Sequence, residues 1–295
     1  MNFKNCIRTL CLVVLCLFVF CIGTSAGQII TGKIIDISTG EPLMYVNVGV
    51  IGQPRGTITN EAGIFELEIN GLPDDATIRF SMIGYIAQTY SIRQLSNNNG
   101  GTIEFESASI PLSEVVIKPG ILRKIGATKR AQWQYCCGWG GDKRGKGHEI
   151  GMKIELGELP VLVKSLHIHI EKQSFDTCLL RLHVRDILNE LPGNELLTQN
   201  IYIPITKKSG WVEIDLSKYQ LVFQGNIILS LEWVSVKGDN RNKYFSARSD
   251  GNKTPTAPGF LFSLSKNQGN AYTRLGSEAR WLHSERTPCF YLTVK

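Results

Sequence analysis

Thr57-Ile58-Thr59-Asn60-Glu61-Ala62-Gly63-Ile64-Phe65-Glu66-Leu67-Glu68-Ile69 decides the fold class. Two runs rich in β-branched and aromatic residues flank Asn60-Glu61-Ala62-Gly63, four residues with turn chemistry. Phe65, Leu67 and Ile69 alternate with Glu66 and Glu68, the period of a strand with one wet face. The chain must reverse within a few residues, and Gly63 supplies a positive φ without a Cβ clash. The stretch therefore predicts a hairpin, with Phe65 in the core. The same signature recurs on both sides. Residues 29–36 form an apolar run that ends in the turn Ser38-Thr39-Gly40, where Gly40 again fits a positive φ. Residues 45–50 alternate, and residues 77–82, 86–92 and 102–105 add three more runs. Short alternating runs between Gly, Pro, Asn and Asp turns predict a β-sandwich of about seven strands. No helix-period segment of useful length interrupts it.

Beyond residue 147 the pattern resumes. Runs at 148–156, 161–171, 177–187, 196–204, 211–216, 226–236, 244–247, 260–264 and 289–294 predict about nine strands and no helix. That pattern reads as a second, jelly-roll-like sandwich. The fold class expected is all-β. Its parts are a sandwich over residues 27–118, a linker or irregular segment over 119–147, and the second sandwich over 148–295. The linker is rich in Gly, Lys and Arg and has no period, so the two sandwiches are expected to separate there.

The first sandwich carries an ordered series: Gly32-Lys33-Ile34-Ile35-Asp36, Thr39-Gly40-Glu41-Pro42-Leu43, Val46-Asn47-Val48, Gly56-Thr57, Thr59-Asn60-Glu61-Ala62-Gly63-Ile64-Phe65 and Ser81-Met82-Ile83-Gly84-Tyr85. The series resembles the carboxypeptidase-D regulatory-like domain, a transthyretin-like β-sandwich. The resemblance implies that Phe65 and Tyr85 are core aromatics. Leu112-Ser113-Glu114-Val115-Val116-Ile117 is similar to a segment that follows this domain in large outer-membrane receptors, where it meets an energising partner ahead of a plug and barrel. The 178 residues after Ile117 are too few for that plug and barrel, so the segment reads as the last strand of the sandwich. Arg181-Leu182-His183-Val184-Arg185, Glu190-Leu191-Pro192-Gly193 and Val212-Glu213-Ile214-Asp215-Leu216 resemble a domain that follows the regulatory-like domain in some exported bacterial proteins, with no activity to carry over. Metallocarboxypeptidases themselves are similar to one another in a His-x-x-Glu zinc pair. Here the residues three after each His are Gly151, Ile170, Lys172, Asp186 and Arg286. Without that pair or the α/β catalytic domain, peptidase activity is not expected.

The chain has 295 residues, 43% hydrophobic and 20% charged, with net charge +6. It is too long for a disulfide mini-scaffold, too apolar for a disordered chain, and too weakly basic to argue nucleic acid. Residues 1–26 read as a signal peptide: Lys4 and Arg8 in a basic start, an apolar run over 10–22, and Thr24-Ser25-Ala26 at the cut. Cleavage there would take Lys4 and Arg8 with it and leave a net charge of +4. Phe20 before Cys21 and Leu15 before Cys16 lack the small residue of a lipidation signal, so ordinary cleavage is expected. The expected location is the periplasm, outer membrane or cell surface of a Gram-negative envelope, with peripheral membrane association. Of the cysteines beyond the leader, Cys178 shares a face with Leu180, Leu182 and Val184 and reads as a buried thiol. The parity of Cys289 argues against a bridge to it across the core, and adjacent Cys136 and Cys137 rarely bond each other.

Few residues suggest chemistry. His167 and His169 share a strand face, and a hairpin through residues 172–176 would set His183 diagonally near His167. His167, His169 and His183 are the candidate metal ligands. The same register, however, sets Arg181 opposite His167, where a cation repels a metal, and the competing reading is a solvent-facing polar face behind Leu166, Ile168 and Ile170. The Gly140–Gly147 stretch mimics a phosphate loop but has Gly147 where Ser or Thr would hold magnesium, and no helix follows. It reads as a basic linker with Lys143, Arg144 and Lys146. Trp233 has core parity. Trp211 shares parity with Glu213 and Asp215, on a polar face or sheet edge, and Trp139 lies in the irregular segment with Trp133 and Tyr135. Trp139 and Trp211 are therefore the candidate ligand-binding rings. No Gly-x-Ser-x-Gly marks a nucleophile. The expectation is a non-enzymatic exported envelope protein that binds or scaffolds, needs no cofactor, and has an envelope protein or cell-surface glycan as partner. A glycan-binding accessory module is the alternative, followed by a hydrolase with an unrecognised site in the second sandwich.

Overall fold

A computed structural model describes residues 28–98, 100–108, 120–131, 136–140, 145–239, 248–249, 252–253, 259–267 and 269–295. Residues 1–26, the segment 112–117, Trp133, Tyr135, Lys143, Arg144 and the run 244–247 lie outside them. The first sandwich holds β1 (Ile29–Asp36), β2 (Asn47–Val50), β3 (Gly56–Ile58), β4 (Ile64–Glu68), β5 (Thr77–Ser81), β6 (Gln88–Ser91) and β7 (Thr102–Phe105). One sheet runs β4-β1-β7 and the other β3-β2-β5-β6. The strand expected over 86–92 is shorter. Ser91 caps a one-and-a-half-turn helix, α1 (Ile92–Asn97), through a capping box with Gln94. Ile34, Val48, Phe65, Ile78, Phe80 and Phe105 are buried between the sheets. Tyr85 is only half-buried, because its hydroxyl donates to Asp36 Oδ2 at 2.8 Å while its ring packs against Phe105.

The deciding turn forms as its residues dictate. Gly63 has φ +71° and Gly40 φ +72°. Asn60 Oδ1 accepts from the backbone N–H of Ala62 at 2.9 Å and of Ile64 at 3.0 Å. A Cβ on Gly63 would stand 2.6 Å from the Ile34 carbonyl oxygen, so crowding adds to the φ strain. Gly63→Val should cost about 1–3 kcal/mol more than Ala62→Val in denaturant unfolding of this sandwich. Equal losses would contradict the turn.

The second sandwich is larger. Its strands are β8 (Arg123–Gly126), β9 (Cys136–Gly140), β10 (His148–Glu155), β11 (Val161–Gln173), β12 (Phe175–Leu188), β13 (Leu191–Glu195), β14 (Ile201–Ile205), β15 (Gly210–Asp215), β16 (Val222–Phe223) and β17 (Asn226–Asp239). After them come β18 (Arg248–Ser249), β19 (Asn252–Lys253), β20 (Gly259–Ser263), β21 (Ala271–Leu275), β22 (Leu282–Ser284) and β23 (Phe290–Val294). One sheet runs β13-β12-β17-β10-β21-β22 with β14 also on β12. The facing sheet runs β8-β23-β11-β20-β9 with β15 and β16 also on β11. Trp233 is fully buried between them, edge-on to Phe175 and Phe260, and the ring contacts continue through Phe262 to Phe290. Where the sequence reading counts nine strands, the two sheets contain fourteen among the described residues, and β18 and β19 pair only with each other.

Two differences have clear causes. The stretch 119–147, expected to be irregular, supplies β8 and β9, which pair with β23 and β20. Backbone ladders hold them, and ladders leave no hydrophobic period in a Gly-rich strand. The hairpin expected between 161–171 and 177–187 does not form. β11 and β12 are separated only by Ser174, yet they enter opposite sheets. Ser174 pins the corner: its N–H donates to the Gly259 carbonyl at 3.0 Å, and its Oγ accepts from the Gly259 N–H at 2.8 Å. Strands commonly switch sheets at such bends.

Candidate functional site

The β12 sheet turns its outer face toward the first sandwich, and its polar residues line up there. In register, Arg274 on β21 stands opposite Glu149 on β10, Glu149 opposite Glu232 on β17, and Glu232 opposite Arg181 on β12. Cross-strand neighbours on one face touch, so four adjacent strands carry a row of signs plus, minus, minus, plus. His183 and Arg185 extend it along β12. Glu149 and Glu232 are fully buried, as is Arg181, while His183, Arg185 and Arg274 are each less than a tenth exposed.

Each charge has an opposite partner. Arg181 Nε donates to Glu232 Oε2 at 2.7 Å. Arg185 is bidentate on Glu149 at 2.7 and 3.1 Å, and its Nη1 also reaches Ser230 Oγ. Arg274 donates through Nε at 2.9 Å and through Nη2 to Glu149 Oε1. His183 has a carboxylate oxygen at each ring nitrogen: Glu195 at 2.6 Å on Nδ1 and Glu232 at 2.8 Å on Nε2. Two acceptors require two donors, so the ring is an imidazolium. Burial opposes that charge, but Glu149 and Glu195 outweigh it and hold the group above its ordinary 6.5. For Glu149 burial pushes the carboxyl up, and Arg185 and Arg274 override it and hold it well below the carboxylate range. The same contest lowers Glu232, through Arg181, and Glu195, through His183 and Arg185.

These directions set a pH dependence. The contribution of His183 is fully present below about pH 6.5 and lost as pH rises through its raised folded value. That of the three carboxylates is present above their ordinary values and lost as pH falls through their depressed ones. Unfolding midpoints should therefore fall as pH rises above 6.5, and His183→Gln should flatten that alkaline decline. Parallel declines in the two proteins would refute the assignment.

The row also holds the two sandwiches together. Arg181 Nη1 donates to the Tyr45 carbonyl at 2.8 Å, and Nη2 to Asn47 Oδ1 at 2.6 Å. Tyr45 itself has φ +64°, a left-handed conformation that a bulky residue rarely takes. Asn200 donates to the Ile83 carbonyl at 3.0 Å, and Tyr45 meets Tyr202 edge-on at 5.4 Å. Glu278 accepts from Ser81 at 2.9 Å and Arg79 at 3.4 Å, and its backbone carbonyl accepts from the Gly52 N–H. The two sandwiches, expected to separate, are therefore bound through buried charge. Beside these contacts lies a cleft of about 510 Å³. Ser81 to Tyr85 form one wall, and Arg185, Glu195, Arg274 and Trp281 belong to the other.

Glu195 and Glu278 line the cleft, and Glu149 and Glu232 are buried behind it. A glycosidase needs one carboxyl held protonated near neutral pH, whereas Glu149, Glu195 and Glu232 are all held low. Glu149, His183 and Glu232 also bring three donor atoms within 4.8 Å of one another. Arg185 and Arg274 occupy both Glu149 oxygens and Arg181 occupies Glu232 Oε2, so a divalent cation drawn to the unpartnered Glu232 Oε1 would face three guanidinium groups. The donor set does not fit a metal.

The histidines considered from sequence are parted. His167 and His169 lie on the outer face of the β11 sheet, and His183 is on the other sheet. His167 Nε2 meets Ser165 and Thr293 hydroxyls at 2.9 and 3.0 Å, and His169 Nδ1 meets Ser263 at 2.7 Å. Burial pulls both below the ordinary value. Opposite Arg181 stands Glu232, not His167, because β12 pairs with β17. Trp211 is on β15 and opposite His169, half-buried, edge-on to His169 at 4.9 Å and to Tyr291 at 5.1 Å. Trp139 pairs through its backbone with Phe260, and its side chain lies outside the described ones, as do those of Cys136 and Cys137. Cys178 and Cys289 are buried free thiols, with Cys289 pushed up to about 11 by burial. The sequence signal for the ionic row was its mixed signs at alternate positions of β10, β12 and β17, which look like a solvated face until the register aligns them.

Residues 30–117 match the family model of the CarboxypepD_reg-like domain. The N-terminal sandwich is a CarboxypepD_reg-like domain. The match ends before the second sandwich and includes no catalytic domain, and the Ser81–Tyr85 wall of the cleft belongs to the regulatory-like domain. No curated protein matches the chain. Among solved structures, the chain is similar to the infectious bursal disease virus VP2 subviral particle, at 11% identity and TM-score 0.23, covering 85% of this chain and 59% of that one. It is also similar to infectious bursal virus derived T=1 particles, at 11% identity and TM-score 0.19, covering 90% and 60%. These scores do not establish a shared fold.

Proposed function

We propose that this chain is a non-enzymatic binding or scaffolding protein of a Gram-negative cell envelope, with its binding site in the cleft between the regulatory-like domain and the second sandwich. The observation that carries the reading is the Arg181 clamp. Its guanidinium group is shared between Glu232 in one sandwich and Tyr45 and Asn47 in the other. The clamp fixes the walls of the cleft, and fixed concave surfaces at domain boundaries favour ligand binding. The buried histidine and carboxylates are committed to ion pairs, which supports recognition over proton transfer. Residues 1–26 support export. Expressed in a Gram-negative host, the protein should begin near Gly27 and fractionate with periplasm or outer membrane. A photo-crosslinker at Asn194 should give one dominant adduct there, lost in Arg79→Glu. A cytoplasmic protein retaining residues 1–26, a lipidated cysteine, or no adduct would overturn the reading.

A glycan-binding accessory module is the second reading, supported by the outer aromatic group of Trp211, His169, His167 and Tyr291. His167 and Tyr291 stack at 4.2 Å with planes 7° apart. Saturable polysaccharide binding lost in Trp211→Ala, with the fold retained, would favour it over the cleft.

A further inference from the structure

We propose that the interdomain cleft is an anion site, taking a small ligand through one negatively charged group, a carboxylate, sulfate or phosphate. The proposal rests on the cleft being the binding site and names the chemistry it accepts. Five positive groups line the cleft, with Glu195 and Glu278 among them in the lining, Glu149 and Glu232 behind it, and Asp36 and Asp186 accepting from the lining Tyr85 and Asn194. Arg79, Arg181, Arg185, Arg274 and the imidazolium of His183 face Glu149, Glu195, Glu232 and Glu278. The charge of His183 follows from its two carboxylate neighbours.

The unspent donors lie on the cleft wall. Arg274 is nine-tenths buried, and its Nε and Nη2 both go to Glu149, which leaves Nη1 without a protein partner among the described residues. Trp281 holds that guanidinium in place, 4.9 Å from its ring centroid, and Arg185 lies 5.4 Å from the same ring. Arg79, on the other wall, is half exposed and makes a single 3.4 Å contact to Glu278. A guanidinium group on each wall suits an oxyanion, because each presents planar N–H donors. About 510 Å³ accommodates an acid of monosaccharide size.

Calorimetric titration of residues 27–295 at low ionic strength tests this, with glucuronate, sulfate and phosphate against neutral glucose. At least one anion should bind saturably, glucose should not, and added salt should weaken binding. The anion that binds best identifies the ligand group. Arg79→Gln should weaken binding about tenfold or more, the worth of one charge-assisted hydrogen bond. Arg274→Lys, which keeps the charge and loses the fork, should do the same while the variant stays folded at the titration temperature. Arg280→Gln, exposed and outside the cleft, should bind like the parent. No saturable anion binding, equal binding of glucose, or unaltered affinity in both cleft variants would overturn the proposal. The Asn194 crosslink is an independent readout: an adduct without anion binding would leave the cleft a binding site for another chemistry.

Discussion

Arg181→Ala should destabilise the second sandwich by about 3–5 kcal/mol, the usual cost of stripping one partner from a buried ion pair. Glu232 would keep its charge with no exposure to water and lose its guanidinium partner. The same substitution removes two hydrogen bonds to the regulatory-like domain, at Tyr45 and Asn47. The parent should unfold in one denaturant transition, because the sandwiches share the clamp. The variant should unfold in two, with the second sandwich first. Arg181→Met with Glu232→Leu should recover part of the stability, since the two charges leave together and His183 keeps Glu195 although it loses Glu232, while the two transitions remain. A loss under about 1 kcal/mol with a single transition would show that the clamp contributes little.

Glu149→Ala should cost a similar 3–5 kcal/mol by the opposite route. It leaves two buried guanidinium groups, on Arg185 and Arg274, without their carboxylate. Arg181 and its contacts to Tyr45 and Asn47 are untouched, so unfolding should remain one transition at a lower midpoint. The variant should also show a shallower alkaline stability decline, because Glu149 is one of the carboxylates that keep His183 charged, while Glu195 and Glu232 still hold its ring nitrogens. If Glu149→Ala splits the transition and Arg181→Ala does not, the division of labour within the row is reversed.

Much of the fold is legible in the residues. Phe65, Leu67 and Ile69 alternate against glutamates, Gly63 stands at the required φ, and Trp233 has the parity of the core. The corner at Ser174 is not legible. Two alternating runs at 161–171 and 177–187 with a short connection look like a hairpin, whereas the strands extend to either side of Ser174, whose hydrogen bonds to Gly259, 85 residues away, hold a corner between separate sheets. That single error moves His183 away from His167 and hides the ionic row. The row itself depends on three registers, none of which local pattern fixes. β8 and β9 escape notice because Gly126, Gly138 and Gly140 contribute ladder bonds and no side chains. A half-exposed Trp211 is legible as an off-core ring, although its partners His169 and Tyr291 come from two other strands.

The pairing of β8 with β23 bears on how the chain is made. β8 is the first strand of the second sandwich and β23 the last, yet β23 lies between β8 and β11 in the sheet. The regulatory-like domain closes its described strand pairings and its Tyr85–Ser107 bridge within residues 29–107, so these can form before the second sandwich is synthesised. Its neighbour cannot close so early, because the middle of one sheet is supplied last. Until Phe290 to Val294 arrive, β11 presents an unpaired edge over Val163 to Ile168, and β8 has no described strand to join. Such an edge invites pairing with other nascent chains. The newborn protein therefore passes through a stage with one domain's strands able to pair and the other domain open along a seam. The seam closes only when Phe290 to Val294 pair with β11 and β8 together.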